Sequence, residues 1–375
     1  MNPKIEKNTL SDEIKSLPPG ESFQSSWDFQ LIENAVRKAR KKNTAPDFSI
    51  GKVEIHPSGN CNLKCPFCYG QKLAPKEKTN LPLGVMHKII NDLNNNFSDE
   101  QKPLIVLAGM YSEPFKHPEM KEIICQLGHH KFRFGIYTNG LLLSKSIIDE
   151  IVNSSKQNST PKNSYISFDV SASLVVDQFY KKLFPIIKET IDCRNKENAQ
   201  LQINTPILAI LGRSDHTTLF PVIEKLSSIG VDNIRLSFPW SLHEGGEVEK
   251  YGFLPREDYY NAVKVFQELK QEFSNVTIRE PQLKPFDHCF MLTQSLAVSP
   301  EGDVYPCPEV CVPVYRSKFS YGSVLTNGIF EIWGSQKHKK LFHDLNPRNE
   351  NCICCPVDWK FNEICSKFWP PELGR

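Results

Sequence analysis

Ten of the twelve cysteines of this chain fall in two groups, at positions 61–68 and 289–365. Core filling scatters small hydrophobes such as cysteine, whereas metal ligation gathers them. The compartment sharpens the point. The segment Met1–Ser11 is polar, with no apolar core of a secretory signal, and no run approaches the ~18–20 apolar residues needed to span a bilayer. The chain is therefore expected in the cytoplasm, without a membrane partner, where thiols stay reduced. The two remaining cysteines, Cys125 in EIICQL and Cys193 in IDCRNK, read as small buried hydrophobes, Cys125 on an apolar helix face. With 45 basic and 43 acidic residues the formal net charge is +2, which lacks the basic footprint of a nucleic-acid partner.

A chain of 375 residues holds two domains, or one large domain with an appendage. From residue 51, β-branched runs alternate with amphipathic stretches. Strands are expected at Lys52–His56, Leu104–Ala108, Arg133–Tyr137, Tyr165–Asp169, Gln202–Ile207 and Asn233–Phe238. Helices are expected at Leu83–Asn95, Glu119–Leu127, Ser146–Ser154, Phe179–Cys193 and Thr217–Ile229, with a longer one at Arg256–Phe273. This α/β alternation calls for a parallel sheet with helices outside it. A partial (β/α)6 TIM-like barrel and a doubly wound open sheet both fit the periodicity; the barrel is the expectation adopted. Residues 1–50 read as an N-terminal extension with a helix at Phe29–Lys42. Residues 51–280 read as the core domain, and residues 281–375 as a small cysteine-rich α+β domain.

The first cysteine group lies in HPSGNCNLKCPFCYG, directly after the first expected strand. Cys61, Cys65 and Cys68 have the spacing C-x3-C-x2-C. Three thiolates from one short loop can hold three irons of a cubane and leave the fourth open. A structural zinc wants four ligands, which this loop lacks. Here the sequence resembles the radical S-adenosylmethionine (SAM) superfamily, down to the aromatic Phe67 before the third cysteine. The resemblance implies that SAM chelates the open iron. Cleavage of SAM then yields a 5′-deoxyadenosyl radical that abstracts a substrate hydrogen atom. LAGMYSEPFKHP, after the second strand, looks like the family's Gly-Gly-Glu-Pro segment; it puts Glu113 on the SAM amino group, with Ser112 where glycine is commoner. YTNG after the third strand brings Asn139, and ISFDVSA after the fourth brings Ser167 and Asp169, the latter facing SAM or substrate. Phe67, Ser112, Glu113, Asn139 and Ser167 are thus the expected SAM contacts, gathered at the C-terminal strand ends, which form the active face of such barrels.

In the second group, SPEGDVYPC reads as a hairpin between Leu296–Val298 and Val304–Tyr305, which carries Cys307 back toward Cys289. A later C-x2-C pair, Cys352 and Cys355, could complete a four-thiolate site. This region resembles the SPASM and twitch extensions of radical SAM enzymes, which carry auxiliary [4Fe–4S] clusters. The C-x5-C-x3-C continuation of the full SPASM pattern is missing, which favours the shorter twitch arrangement on Cys289, Cys307, Cys352 and Cys355. A structural zinc on the same thiolates is the alternative. Cys311, Cys354 and Cys365 receive no assigned role.

The resemblance implies an oxidoreductase that performs dehydrogenation, epimerisation or cross-linking on a natural-product metabolite or peptide. Four cysteine ligands leave no open iron on the auxiliary cluster, so its expected task is to accept an electron. A donor such as flavodoxin or ferredoxin is implied. Alternatives are a ribosomal-peptide maturase, a radical SAM activase or methyltransferase, and a zinc-stabilised binding module without catalysis.

Overall fold

The computed structural model describes residues 50–65, 67–68, 73–158, 163–210, 212–238, 256–279, 288–347 and 362. The expected helix Phe29–Lys42 and the cysteines Cys352, Cys354, Cys355 and Cys365 lie outside these residues.

All six expected strands form: β1 (Lys52–Ile55), β2 (Leu104–Leu107), β3 (Phe134–Thr138), β4 (Ser164–Phe168), β5 (Leu201–Leu208) and β6 (Asn233–Ser237). A seventh, β7 (Val276–Arg279), follows them. Its four residues, VTIR, sit in a polar stretch too short to register as a period in the sequence. Each strand pairs in parallel with the next in chain order. A doubly wound sheet reverses its strand order at a switch point. From β1 to β7 there is no reversal, so the ambiguity left by the periodicity is decided for a singly wound, barrel-like sheet. Right-handed crossovers then place the connecting helices on one face.

Those helices are α1 (Leu83–Asn96), α2 (Met120–His129), α3 (Lys145–Ser155), α4 (Val170–Val175), α5 (Phe184–Lys196), α6 (His216–Ser228) and α7 (Arg256–Glu272). The longer ones bury a stripe at helical spacing, as α1 does with Met86, Ile89, Ile90 and Leu93, whereas the short α4 buries the consecutive Val170, Ser171, Ala172 and Ser173. Facing them are Val53, Ile55, Ile105, Leu107, Phe134, Ile136, Ile166, Phe168, Ile203 and Ile234. The alternate residues line the inner face, where Leu104, Val106, Ala108 and Tyr165 pack together with Tyr137 beside them. On α2 the buried stripe is Met120, Ile123, Ile124 and Leu127. Cys125 falls outside it and is exposed, which corrects the reading of this cysteine as a buried hydrophobe. Cys193 is buried as expected.

The hairpin at SPEGD also forms, as β8 (Ser295–Val298) and β9 (Asp303–Tyr305), with a short β10 (Gly322–Ser323) beyond it. Gly302 makes the turn at φ +82°, and a Cβ there would stand 2.6 Å from Leu325 Cγ. Strand β8 pairs in parallel with β1, so among the described residues one ten-stranded sheet runs across the boundary expected near residue 280.

Inside the sheet, a Cβ on Gly135 would lie 2.2 Å from the Tyr165 ring. Glycine on β3 is therefore what admits Tyr165 to the inner face. The variant Gly135→Ala is expected to lose about 1–3 kcal/mol of stability through overpacking. Urea unfolding monitored by circular dichroism checks this.

Candidate active site

The loop after β1 does not turn away from the sheet. It runs across the C-terminal ends of the neighbouring strands, and each contact along it is specific. The Asn60 carbonyl accepts from the Glu113 amide at 2.8 Å, beyond β2. The Asn62 side-chain oxygen accepts from Asn139 Nδ2 at 2.9 Å, beyond β3. Phe67 packs with Ala172 of α4 and with Ile210 after β5, and Leu63 and Cys65 lie against the same group. Cys61, Cys65 and Cys68 are thereby held over the mouth of the inner face. All three are half-buried.

Beneath the loop sits Glu113, only 2% exposed. Its Oε1 accepts from the Thr138 hydroxyl at 2.6 Å, and its Oε2 from the Asn139 amide at 2.8 Å. The Phe115 amide donates to Oε1 at 3.3 Å, so the carboxylate also caps the short turn Pro114–Lys116. Burial outweighs these donors and pushes the carboxyl up to about 7. Gly109 makes the bend before it: a Cβ there would meet Ser112 Oγ at 2.4 Å and the Ser112 carbonyl oxygen at 2.6 Å.

Ser112 Oγ and Ser167 Oγ are buried and have no hydrogen-bond partner among the described residues. Asn204 Oδ1 shares that condition, and Asn204 stands opposite Ser167 across β4 and β5. Buried polar atoms are normally satisfied, so these three, one in the segment after β2 and two side by side on β4 and β5, mark places where a polar ligand fits. Asp169 caps α4 through the Ala172 amide at 3.4 Å, and burial raises its carboxyl.

The thiols share this electrostatic setting. Burial raises Cys61, and it pushes Cys65 up to about 12, reinforced by the Asp169 carboxylate and by the other two thiols. A bound cation reverses that balance and favours the thiolates. Among the described residues no three ligating side chains converge closely enough for a single metal ion. Three cysteines that each bind a different iron of a cubane stand further apart than ligands of one ion. The donor set, the acceptor Glu113 and the unsatisfied hydroxyls fit a cluster with a polar organic ligand.

In the C-terminal region, Cys289 precedes the turn Phe290–Thr293, and Cys307 follows β9. Both thiols act electrostatically on the buried Tyr321 phenol, which burial above all raises well beyond its ordinary range. Cys311 is fully buried beside Ala297, Tyr305, Val310 and Phe319.

Several residues of the site carried no signal that sequence reasoning used. Asn60 and Asn62 flank Cys61, and Thr138 precedes Asn139, yet their roles as tethers emerge only in space. Tyr111 is another. Its hydroxyl donates to Glu301 Oε1 at 2.9 Å in the β8–β9 turn, and Lys78 Nζ lies 5.1 Å from its ring centroid. This strap joins the mouth of the inner face to the C-terminal hairpin.

Comparison with known proteins agrees with this geometry. Residues 289–356 match SPASM, an iron–sulfur cluster-binding domain, a span that opens at Cys289 and closes one residue after Cys355. The fold is similar to that of SuiB from Streptococcus suis solved with S-adenosylmethionine. The TM-score is 0.57 at 15% identity, covering 83% of this chain and 72% of that one. It is also similar to anSMEcpe solved with AdoMet, with TM-score 0.54 at 16% identity over 78% and 83% of the two chains. A tungsten-containing aldehyde ferredoxin oxidoreductase cofactor-modifying protein from Pyrococcus furiosus is 22% identical over 301 residues, 75% of this chain and 80% of that protein. The chain thus has the partial-barrel fold of radical SAM enzymes and carries a C-terminal SPASM iron–sulfur cluster-binding domain. No helix among the described residues is long and apolar enough to cross a membrane.

The Glu113 environment has a measurable consequence. Its folded-state value of about 7 lies above the ordinary 4.5. Its stabilising contribution is therefore full below pH 4.5 and lost as pH rises through about 7. In the protein free of metal and SAM, stability is expected to fall across that window. In Glu113→Gln, which mimics the protonated form, the fall is expected to be shallower. Urea midpoints at several pH values check this.

Proposed function

We propose that this chain is a radical SAM iron–sulfur oxidoreductase acting in the cytoplasm on a natural-product metabolite or a peptide. The observation that carries this reading is the three-cysteine loop stretched over the strand ends, directly above the buried Glu113. When bound there, a [4Fe–4S] cluster and SAM supply a 5′-deoxyadenosyl radical that takes a hydrogen atom from the substrate.

Cys61, Cys65 and Cys68 would each hold one iron, leaving the fourth to the amino acid end of SAM. Glu113 would accept from the SAM ammonium. The Thr138 hydroxyl and the Asn139 amide already orient its two oxygens. A cation beside a carboxyl poised near 7 draws it to the ionised form. The Ser112 and Ser167 hydroxyls would donate to SAM oxygens, which satisfies atoms that otherwise lack partners. Phe67 and Asn139 hold the loop to the strand ends that carry these groups.

Residues 51–280 would form the SAM-cleaving unit, residues 281–375 the auxiliary-cluster unit, and residues 1–50 an N-terminal extension. Cys289, Cys307, Cys352 and Cys355 would fill every iron of one auxiliary cluster and leave it an electron acceptor for the substrate radical. The net reaction is then an oxidation, either dehydrogenation or cross-linking. A flavodoxin or ferredoxin would supply the electron that starts each turnover. SuiB has been solved with its precursor peptide SuiA and anSMEcpe with a Kp18Cys peptide, while the Pyrococcus relative modifies a cofactor. The two peptide-bound structures support the peptide reading.

The test is anaerobic reconstitution followed by iron, sulfide and zinc analysis and an assay of 5′-deoxyadenosine. About eight irons per chain are expected for two cubanes. The triple variant Cys61→Ala, Cys65→Ala, Cys68→Ala is expected to lose about four of them and all SAM cleavage. Zinc at both cysteine groups, or full loading with no SAM cleavage, would overturn the proposal. Separately, Glu113→Gln is expected to weaken SAM binding about tenfold or more by removing a charge-assisted acceptor. Equilibrium dialysis with labelled SAM measures it.

A further inference from the structure

The C-terminal unit holds one buried hydroxyl that no contact among the described residues uses. Tyr321 is 4% exposed, and its hydroxyl oxygen has no hydrogen-bond partner among those residues. A buried phenol normally finds an acceptor. The backbone of Tyr321 is tied to the strand that leads into one of the cysteines. Its amide donates to the Val304 carbonyl of β9 at 2.8 Å, and β10 follows at once, paired with the same strand. Cys307 comes just after β9.

The ring of Tyr321 packs on His338, which is fully buried in the helix Gln336–Asp344. The imidazole centroid lies 4.3 Å from that of Tyr321 and 4.3 Å from that of Trp333. Nδ1 of His338 accepts from the Gly334 amide at 2.9 Å, so Nε2 carries the proton and donates to the Leu292 carbonyl at 2.8 Å. With both nitrogens engaged, the imidazole is a neutral wedge of fixed orientation. Leu292 belongs to the turn Phe290–Thr293, which Cys289 opens. Tyr321 is thus tied by its backbone to the strand before Cys307 and through its ring to the turn after Cys289. The charge of each thiolate reaches its phenol.

Neither thiol sulfur accepts from the Tyr321 hydroxyl, whose proton therefore has no acceptor among the described residues. The sulfides of a cluster on Cys289 and Cys307 are acceptors that this place would gain, and hydrogen bonds to sulfur are one means by which a protein sets a cluster's potential. A donor beside the cluster stabilises its more negative, reduced form and so raises the potential. Resting on the auxiliary cluster of the function proposed above, we propose that the Tyr321 hydroxyl donates a hydrogen bond to a sulfide of the cluster held by Cys289 and Cys307 and thereby raises its reduction potential. The proton stays on the phenol in both oxidation states. The consequence is a better electron acceptor for a substrate radical.

The experiment is a redox titration of the full-length protein, reconstituted without oxygen and carrying Cys61→Ala, Cys65→Ala and Cys68→Ala so that only the C-terminal cysteines load. Electron paramagnetic resonance of the reduced cluster gives the midpoint potential. Tyr321→Phe keeps the ring and deletes the hydroxyl. It is expected to retain its iron and to shift the reduction equilibrium about tenfold toward the oxidised form, which is about 59 mV lower for a one-electron couple. Reconstitution in heavy water is expected to give the reduced cluster a deuteron coupling that Tyr321→Phe lacks. In the metal-free protein the same variant is expected to be at least as stable as the parent, because it removes a buried hydroxyl without a partner. A tyrosine with a merely structural role would lose stability on this change and leave the potential unmoved. If the triple variant does not fold, the parent chain with both clusters serves, because added SAM identifies the signal of the cysteine loop. An iron-loaded C-terminal cluster whose potential and deuteron coupling are unchanged in Tyr321→Phe overturns this inference and leaves the proposed function standing. Zinc on those thiolates overturns both the inference and the auxiliary-cluster part of the proposed function.

Discussion

The arrangement of the site depends on one buried carboxylate. Glu113 accepts from Thr138 and Asn139 at the end of β3 and from Phe115 in its own turn. Its amide donates to Asn60 in the cysteine loop. The ends of β2 and β3 and the loop above them are therefore fixed relative to a single group. Burial raises that group to about 7. A charge placed there without a partner is unfavourable, and a cationic ligand removes the penalty. The same contacts that shape the mouth thus leave it receptive to an ammonium group.

The sheet behind this carboxylate explains why so many polar atoms converge. In a singly wound parallel sheet every crossover returns on the same side, so the helices occupy one face and the C-terminal strand ends share one rim. The outer face is satisfied by aliphatic packing. The inner face carries Tyr137, Tyr165, Ser167, Asn204, Arg235 and Ser237, residues that an ordinary core would exclude. Polar groups on a wall of this kind are tolerated when they pair with each other or with a ligand. Ser112, Ser167, Asn204 and Ser237 each present an atom with no partner among the described residues. They mark the rim from β2 to β6.

The C-terminal hairpin is coupled to this rim more closely than a separate domain would be. Strand β8 continues the sheet beside β1, and Tyr111 reaches Glu301 in the β8–β9 turn. Cys289 and Cys307 flank that hairpin, so any cluster they hold is tied through the backbone of one sheet to the loop of Cys61, Cys65 and Cys68. A shared sheet fixes the separation of two redox groups better than a flexible linker does.

Local chemistry made much of this legible in the sequence alone. The spacing of Cys61, Cys65 and Cys68, the alternation of apolar runs and the SPEGD turn are short-range patterns, and each fixes its own element. Six strands and the hairpin followed from them, as did the placement of Glu113, Asn139 and Ser167 at strand ends. Cys125 was misjudged because an apolar neighbourhood in sequence does not fix which side of a helix a residue takes; the stripe of Met120, Ile123, Ile124 and Leu127 decides that. Strand β7 escaped because four residues carry too little periodicity. The choice between a singly and a doubly wound sheet lay wholly in strand order. So did the meeting of Asn62 with Asn139 and of Tyr111 with Glu301. These pairs are separated by 77 and 190 positions in the chain. No local propensity brings such residues together. Only the assembly of the strands into one sheet does.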